Sequence, residues 1–147
     1  MQGEDTITSK EKNMEFNTQI CTNKEQSKRL IDLGLNPNTS DMHHYRWSEG
    51  YWDIQNCPPR GSNSNFIPAW SLHRLINMMP YELDNYNYTI HLTQTGVEYS
   101  GMFDSAHGIE ELVSKNSSDN LYDNIIDCIE WLIKGNYFNK EYLKKED

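Results

Sequence analysis

The segment DNLYDNIIDCIEWLIKG, residues 119 to 135, restricts the fold of this chain more than any other. Leu121, Ile125, Cys128, Ile129, Leu132 and Ile133 recur at helical spacing, so they line one side of a helix turning about 100° per residue. Asp119, Asp123, Asp127 and Glu130 fall opposite that stripe. Gly135 supplies a helix terminator. The predicted helix therefore runs from about Asp119 to Lys134, and its apolar face must be covered by another layer.

The rest of the chain offers strands and shorter helices for that layer. Tyr88, Ile90 and Leu92 alternate with Thr89, His91 and Thr93, which is the period of a half-buried strand. Gly96 turns the chain, and Val97, Tyr99 and Phe103 continue in a return strand. Met42 to Trp47 and Tyr51 to Gln55 are aromatic-rich runs around Ser48-Glu49-Gly50. A three-residue loop ending in glycine predicts a hairpin with a bulge. From Asn56 to Asn65 the chain reads NCPPRGSNSN, a loop whose adjacent prolines disfavour ladder pairing.

Thr22-Asn23-Lys24-Glu25 fits a capping box. The helix it opens ends near Leu33, before Gly34, and packs by its C-terminal half through Leu30, Ile31 and Leu33. Ser71 caps a second helix that places Leu72, Leu75, Ile76 and Met79 on one face, with Pro80 as its stop. The expected order is α-ββ-α-ββ-α. The expected class is α+β, with the two hairpins forming one four-stranded antiparallel sheet and three helices packed on it. Residues 1–19 are polar and aperiodic, a loosely ordered arm. Residues 20–147 form the single α+β domain.

Charge and cysteine usage narrow the function classes. With 22 acidic and 13 basic side chains, the net charge of −9 argues against nucleic acid as partner. No apolar run is long enough for a bilayer, and the first 20 residues contain no signal-peptide core. Cys21, Cys57 and Cys128 are odd in number and form no CxxC, so free thiols and a cytoplasmic location are expected. The Asn-x-Ser/Thr triplets at Asn38, Asn87 and Asn116 read as a consequence of a chain rich in Asn, Ser and Thr.

Three stretches, TNKEQSKRLIDLGL, IPAWSLHRLINMMP and IIDCIEWLIKGNYFNKEYL, carry a likeness. Together they resemble small uncharacterised proteins of bacterial phages and mobile elements, in which a short "xPAWSLxRLxxxxP" helix and a closing "IxWLIxxxxF" helix recur. The resemblance spans residues 22 to 143 and rests on helix-packing residues. It implies a fold and an origin, with no activity and no catalytic residue to carry over.

The chemistry-bearing residues point in several directions. Asp41, His43 and His44 are of metal-ligand type, but neighbouring strand residues face opposite ways. A third ligand would have to come from His73, His91 or His107, which have no helpful spacing. No metal or other cofactor is expected. Cys57, beside Arg60, is the best nucleophile, with His43 or His44 as its base. No GxSxG, GxGxxG, P-loop or HExxH occurs, and the adjacent Glu110 and Glu111 make a poor acid/base pair.

Binding surfaces are easier to see. Tyr45, Trp47, Tyr51 and Trp52 put four aromatics within eight residues. Alternate members belong to the core, and Tyr51 or Trp52 remain for a partner or for a homodimer interface. His44 and Arg46 on the same hairpin add a small cationic character. Between residues 98 and 130, Glu98, Asp104, Glu110, Glu111, Asp119, Asp123, Asp127 and Glu130 stand against Lys115 alone, a net of −7. Single-sign blocks serve solubility or mark interaction surfaces. The expectation is a non-catalytic protein-binding module of inhibitor, immunity or adaptor type. Its acidic helix face, Asp119, Asp123, Asp127 and Glu130, would meet a basic protein surface. The alternative is a small Cys57-dependent enzyme.

Overall fold

The computed structural model describes residues 18–61, 63–84, 87–104 and 108–145. The expected arm, apart from residues 18 and 19, and His107 lie outside them. The class is α+β, with three α-helices and two antiparallel sheets among the described residues. The helices are α1 (Lys24–Asp32), α2 (Leu72–Met78) and α3 (Leu121–Lys134). The strands are β1 (Met42–Arg46), β2 (Trp52–Gln55), β3 (Phe66–Ala69), β4 (Glu82–Leu83), β5 (Tyr88–Leu92), β6 (Val97–Asp104) and β7 (Gly108–Lys115).

The two expected hairpins are present, but they do not join into one sheet. Each recruits further strands, giving orders β2-β1-β3 and β4-β5-β6-β7. In the first hairpin Gly50 takes φ +93° and its N–H donates to the Trp47 carbonyl at 2.9 Å, the left-handed geometry that glycine tolerates best. β3, which contains Pro68, lies between the expected loop Asn56 to Asn65 and the expected second helix, where no strand was expected. The Arg46 N–H to Asn65 carbonyl bond, 2.9 Å, fixes the alternation of the β1–β3 ladder. His43 and Pro68 are then a non-hydrogen-bonded pair, so the missing proline N–H would have faced away from the sheet.

In the second sheet β7 hides its period. Tyr99 pairs with Val113 and Ser100 with Glu111, so Leu112 is the extra residue of a bulge. Across the inner face, Ile90, Tyr99 and Val113 form one row. α3 covers that face with Ile125, Ile126, Cys128, Ile129 and Leu132, all fully buried. Burying each large side chain contributes about 1.5–3 kcal/mol. Leu92, expected among the buried positions of β5, lies exposed at the sheet margin.

α1 bridges the two sheets by packing against α3 on one side and β3 on the other. Its capping box is displaced by one residue from expectation. Asn23 accepts the Gln26 N–H at 2.8 Å and the Gln26 side chain accepts the Asn23 N–H at 3.0 Å. Thr22 is drawn elsewhere: its hydroxyl accepts the Trp70 N–H at 3.1 Å, and its own N–H donates to the Trp70 carbonyl at 2.9 Å. Nor does α1 pack by its C-terminal half alone, because Gln26 and Ser27 are buried beside Leu30. Leu75 and Met78 of α2, Trp70 and Leu83 complete one apolar cluster that runs from Leu30 to Phe138. No helix among the described residues is long and apolar enough to cross a membrane.

Candidate functional site

Most of the acidic residues between 98 and 130 fall into two groups with different surroundings; Glu110, paired with Gly101, joins neither, and the side chain of Asp104 lies outside those described. Those on α3 turn toward α1. Gln26 Nε2 donates to Asp123 Oδ1 at 2.7 Å, and Ser118 Oγ to Asp123 Oδ2 at 3.3 Å. The Arg29 guanidinium meets Asp127 at 2.5 Å and lies 3.7 Å from Glu130, which Lys134 also approaches at 3.7 Å. Asp119 stands exposed before the helix, whose N-cap is Asn120. Gln19 joins the same network, since it donates to Gln26 Oε1 at 2.7 Å and accepts from Asn120 Nδ2 at 2.8 Å. Thus Gln19, placed in the arm by its sequence, is bound at the α1–α3 contact. Of the four acids assigned to a partner, three hold two helices together.

The second group lies on the outer face of the four-stranded sheet. Register alone builds it: Glu82 pairs with Thr89, Thr89 with Ser100 and Ser100 with Glu111, a row across all four strands. The neighbouring row is His91, Glu98 and Ser114. Directly opposed residues share a face, so Glu82, Glu98 and Glu111 lie on the same face as His91, with Glu98 directly opposite it. His91 Nε2 meets the Thr89 hydroxyl at 3.0 Å. This face lines an open hollow of about 460 Å³, into which Ile109, 71% exposed, also projects. A smaller hollow of about 140 Å³ adjoins it through Thr93 and Glu98 and reaches Glu111. Residues 81–145 carry eleven acidic against five basic side chains, whereas residues 18–80 carry five against six. The sequence displayed these carboxylates; what it did not display was the β6–β7 pairing that gathers them.

The aromatic hairpin also sorts by face. Trp47 and Tyr51, 41% and 57% exposed, stack with centroids 6.4 Å apart. Tyr45 meets both Trp47 and Phe66 at 5.0 Å. Trp52 points to the other face, where the Lys24 ammonium sits 4.4 Å over its ring. Of the two rings expected for a partner, Tyr51 is open and Trp52 is half-covered.

His43 and His44 leave opposite faces of β1, as their adjacency required. His43 Nδ1 donates to the Cys57 carbonyl at 2.7 Å, and His44 Nε2 donates to the Thr22 carbonyl at 2.8 Å. A carbonyl only accepts, so each bond fixes the ring tautomer. His43 therefore meets Cys57 through the backbone. Asp41 accepts the Ser71 N–H and hydroxyl at 2.9 and 2.5 Å, bracing the start of α2. Among the described residues, no three side chains of metal-ligand type converge.

Fold and surfaces define a class: a two-sheet α+β protein with an acidic outer sheet face. No family model, curated protein or solved structure matches the chain.

Proposed function

We propose that this protein is a non-catalytic binding module that receives a basic segment of a partner protein on the outer face of its four-stranded sheet. The observation that carries the reading is the row Glu82–Thr89–Ser100–Glu111 beside Glu98, with Ser100 buried at its centre, Glu82 and Glu98 half-buried, Glu111 exposed, and exposed Ile109 at its flank. Glu98 at both hollows and Glu111 at the smaller give charge complementarity and register, and the apolar Ile109 at the larger gives desolvated contact area. The α3 acids, engaged by Arg29, Gln26 and Lys134, support the helix packing beneath and contribute to the field at longer range. The free cysteines fit a cytoplasmic setting, and the resemblance of the IPAWSL and IEWLIK segments fits a phage or mobile-element origin.

The test is a titration of the full chain with a lysine-rich peptide and with its lysine-to-glutamine counterpart, followed by backbone amide shifts. The lysine peptide is expected to shift residues 89–91, 98–100 and 109–111, and its affinity to fall as salt rises. Glu98→Lys with Glu111→Lys is expected to weaken it about tenfold or more, while Asp119→Lys leaves it nearly unchanged. Binding indifferent to salt and to the paired reversal sinks the reading.

A second reading keeps Cys57 as nucleophile, because His43 is bonded to the Cys57 backbone carbonyl and so lies on the same stretch of chain. Cys57 would then alkylate fastest of the three thiols with loss of an activity, and His43→Ala would slow that alkylation. A rate unchanged by His43→Ala removes it.

A further inference from the structure

We infer that the groove between α1 and β3 docks an acidic amphipathic helix of a partner protein. The groove encloses about 480 Å³ and is floored by Ile31, Phe66, Ile67 and Pro68. A second hollow of about 220 Å³ shares Ile31, Phe66 and Pro68 and continues it toward Pro37 and Pro59. Concave apolar surface of this size is the ordinary form of a binding site. It lies away from the outer sheet face and belongs to the part of the chain that is not acidic.

The rim supplies the sign of the occupant. Lys24, Glu25 and Lys28 of α1 line it. Lys24 and Lys28 are one turn apart, roughly 6 Å along the helix axis, so they face carboxylates of matching i,i+4 spacing. Among the described residues Lys28 pairs with Asp32, at 3.0 Å with both side chains well exposed, and Lys24 rests on the Trp52 ring. Exposed contacts of this kind contribute little, and an incoming carboxylate replaces them. Glu25 is the opposing charge on the rim and sets which way round the occupant lies.

The backbone supplies the occupant's shape. β3 is an edge strand, and an open edge ordinarily invites an added strand. Here the outward-facing residues are Phe66 and Pro68, by the same alternation that pairs Arg46 with Asn65. The Phe66 N–H is already bonded to the Asn63 carbonyl at 3.1 Å, and Pro68 has no N–H. β3 therefore offers carbonyls but no donor, and a ladder needs both. A helix satisfies its own backbone and presents only side chains, so it fits an edge that a strand cannot extend.

The experiment selects, against the full chain, from a displayed library built on a stable single-helix scaffold with its surface positions randomised. Enriched clones are expected to carry Asp or Glu at i,i+4 beside an apolar stripe, and to shift the Ile31 and Ile67 methyl resonances. Lys24→Glu with Lys28→Glu is expected to weaken them about tenfold or more. Glu98→Lys with Glu111→Lys, which tests the other face, is expected to leave them unchanged. No enrichment, enrichment of basic or uncharged helices, or shifts confined to the outer sheet face overturns the proposal. So does tighter binding of an extended acidic peptide than of the helix. Concentration-dependent shifts of Ile31 and Ile67 in the free protein would assign the groove to a second copy instead.

Discussion

Arg29 of α1 and Asp127 of α3 are joined by a guanidinium–carboxylate contact of 2.5 Å, across 98 positions of sequence. The bond converts what reads as a solvated acidic stripe into the seam between two helices. Both side chains keep about a third of their surface exposed, so water and salt screen the pair. A double-mutant cycle with Arg29→Met and Asp127→Asn is expected to give a coupling of about 0.5–1 kcal/mol that shrinks as salt rises. A coupling near zero at low salt would show that the contact is not held in solution.

That seam also marks the limit of what the chain discloses one residue at a time. α3 was legible because its six apolar positions keep helical period, and the β1–β2 hairpin because Gly50 sits where a bulged turn needs a positive φ. Asp123, Asp127 and Glu130 were legible as charges, but their partners Gln26 and Arg29 lie on a helix nearly a hundred residues away. The start of α1 was ambiguous in the letters: Thr22 with Glu25 and Asn23 with Gln26 both make a box. Tertiary contact decided it, by pairing Thr22 with Trp70. β3 was masked by Pro68, whose lack of an N–H is harmless only at an edge. β7 was masked by the bulge at Leu112, which breaks the alternation on which strand reading depends. Both candidate surfaces depend on those two strands, so neither the outer-face row nor the α1–β3 groove was within reach of periodicity.

Asn124 is fully buried on α3 and tied on three sides. Its Nδ2 donates to the Thr95 and Ser118 carbonyls, at 2.5 and 2.8 Å, and its Oδ1 accepts the Ser118 N–H at 3.1 Å. Asn124→Ala strands these groups, and each buried unpaired group costs about 1–3 kcal/mol. Denaturant unfolding is expected to show a loss of about 3 kcal/mol. Asn124→Asp should lose at least as much near neutral pH, because a carboxylate faces two carbonyls and can donate to neither. A loss below about 1 kcal/mol would mean that water replaces the side chain.

The three thiols should separate by reactivity and by their effect on alkaline stability. Burial lifts Cys21 to about 11, with the charge of Asp41 adding to it. Burial lifts Cys128 to about 12, against an opposing pull from Lys115 and with a further push from Asp127. Unfolded thiols ionise near 9, so above that pH the unfolded chain sheds protons that the folded chain keeps. Their stabilisation is complete below pH 9 and is lost as pH climbs toward 11 to 12. Thermal midpoints are expected to fall over that window, and to fall less steeply in Cys128→Ala. At pH 8, iodoacetamide is expected to label Cys57, the half-buried thiol, before either of the buried two.

Pro68 should prove to be a guard on the sheet edge. It leaves β3 with outward carbonyls and no outward donor, because the Phe66 N–H is taken by Asn63. Pro68→Ala returns one N–H to that edge at a position whose pairing with His43 does not use it. The fold should survive, since the ladder to β1 is untouched. A loss of about 0.4–1 kcal/mol is expected from the greater freedom of the unfolded chain. The restored donor completes a bonding edge, so the variant should self-associate through β3 where the parent does not, an effect of the kind that edge prolines suppress. Sedimentation velocity over a concentration series reads it directly. If the parent and Pro68→Ala sediment alike at all concentrations, while the unfolding free energies differ only by the entropic amount, then α1 and the groove beside it close this edge without help from the proline.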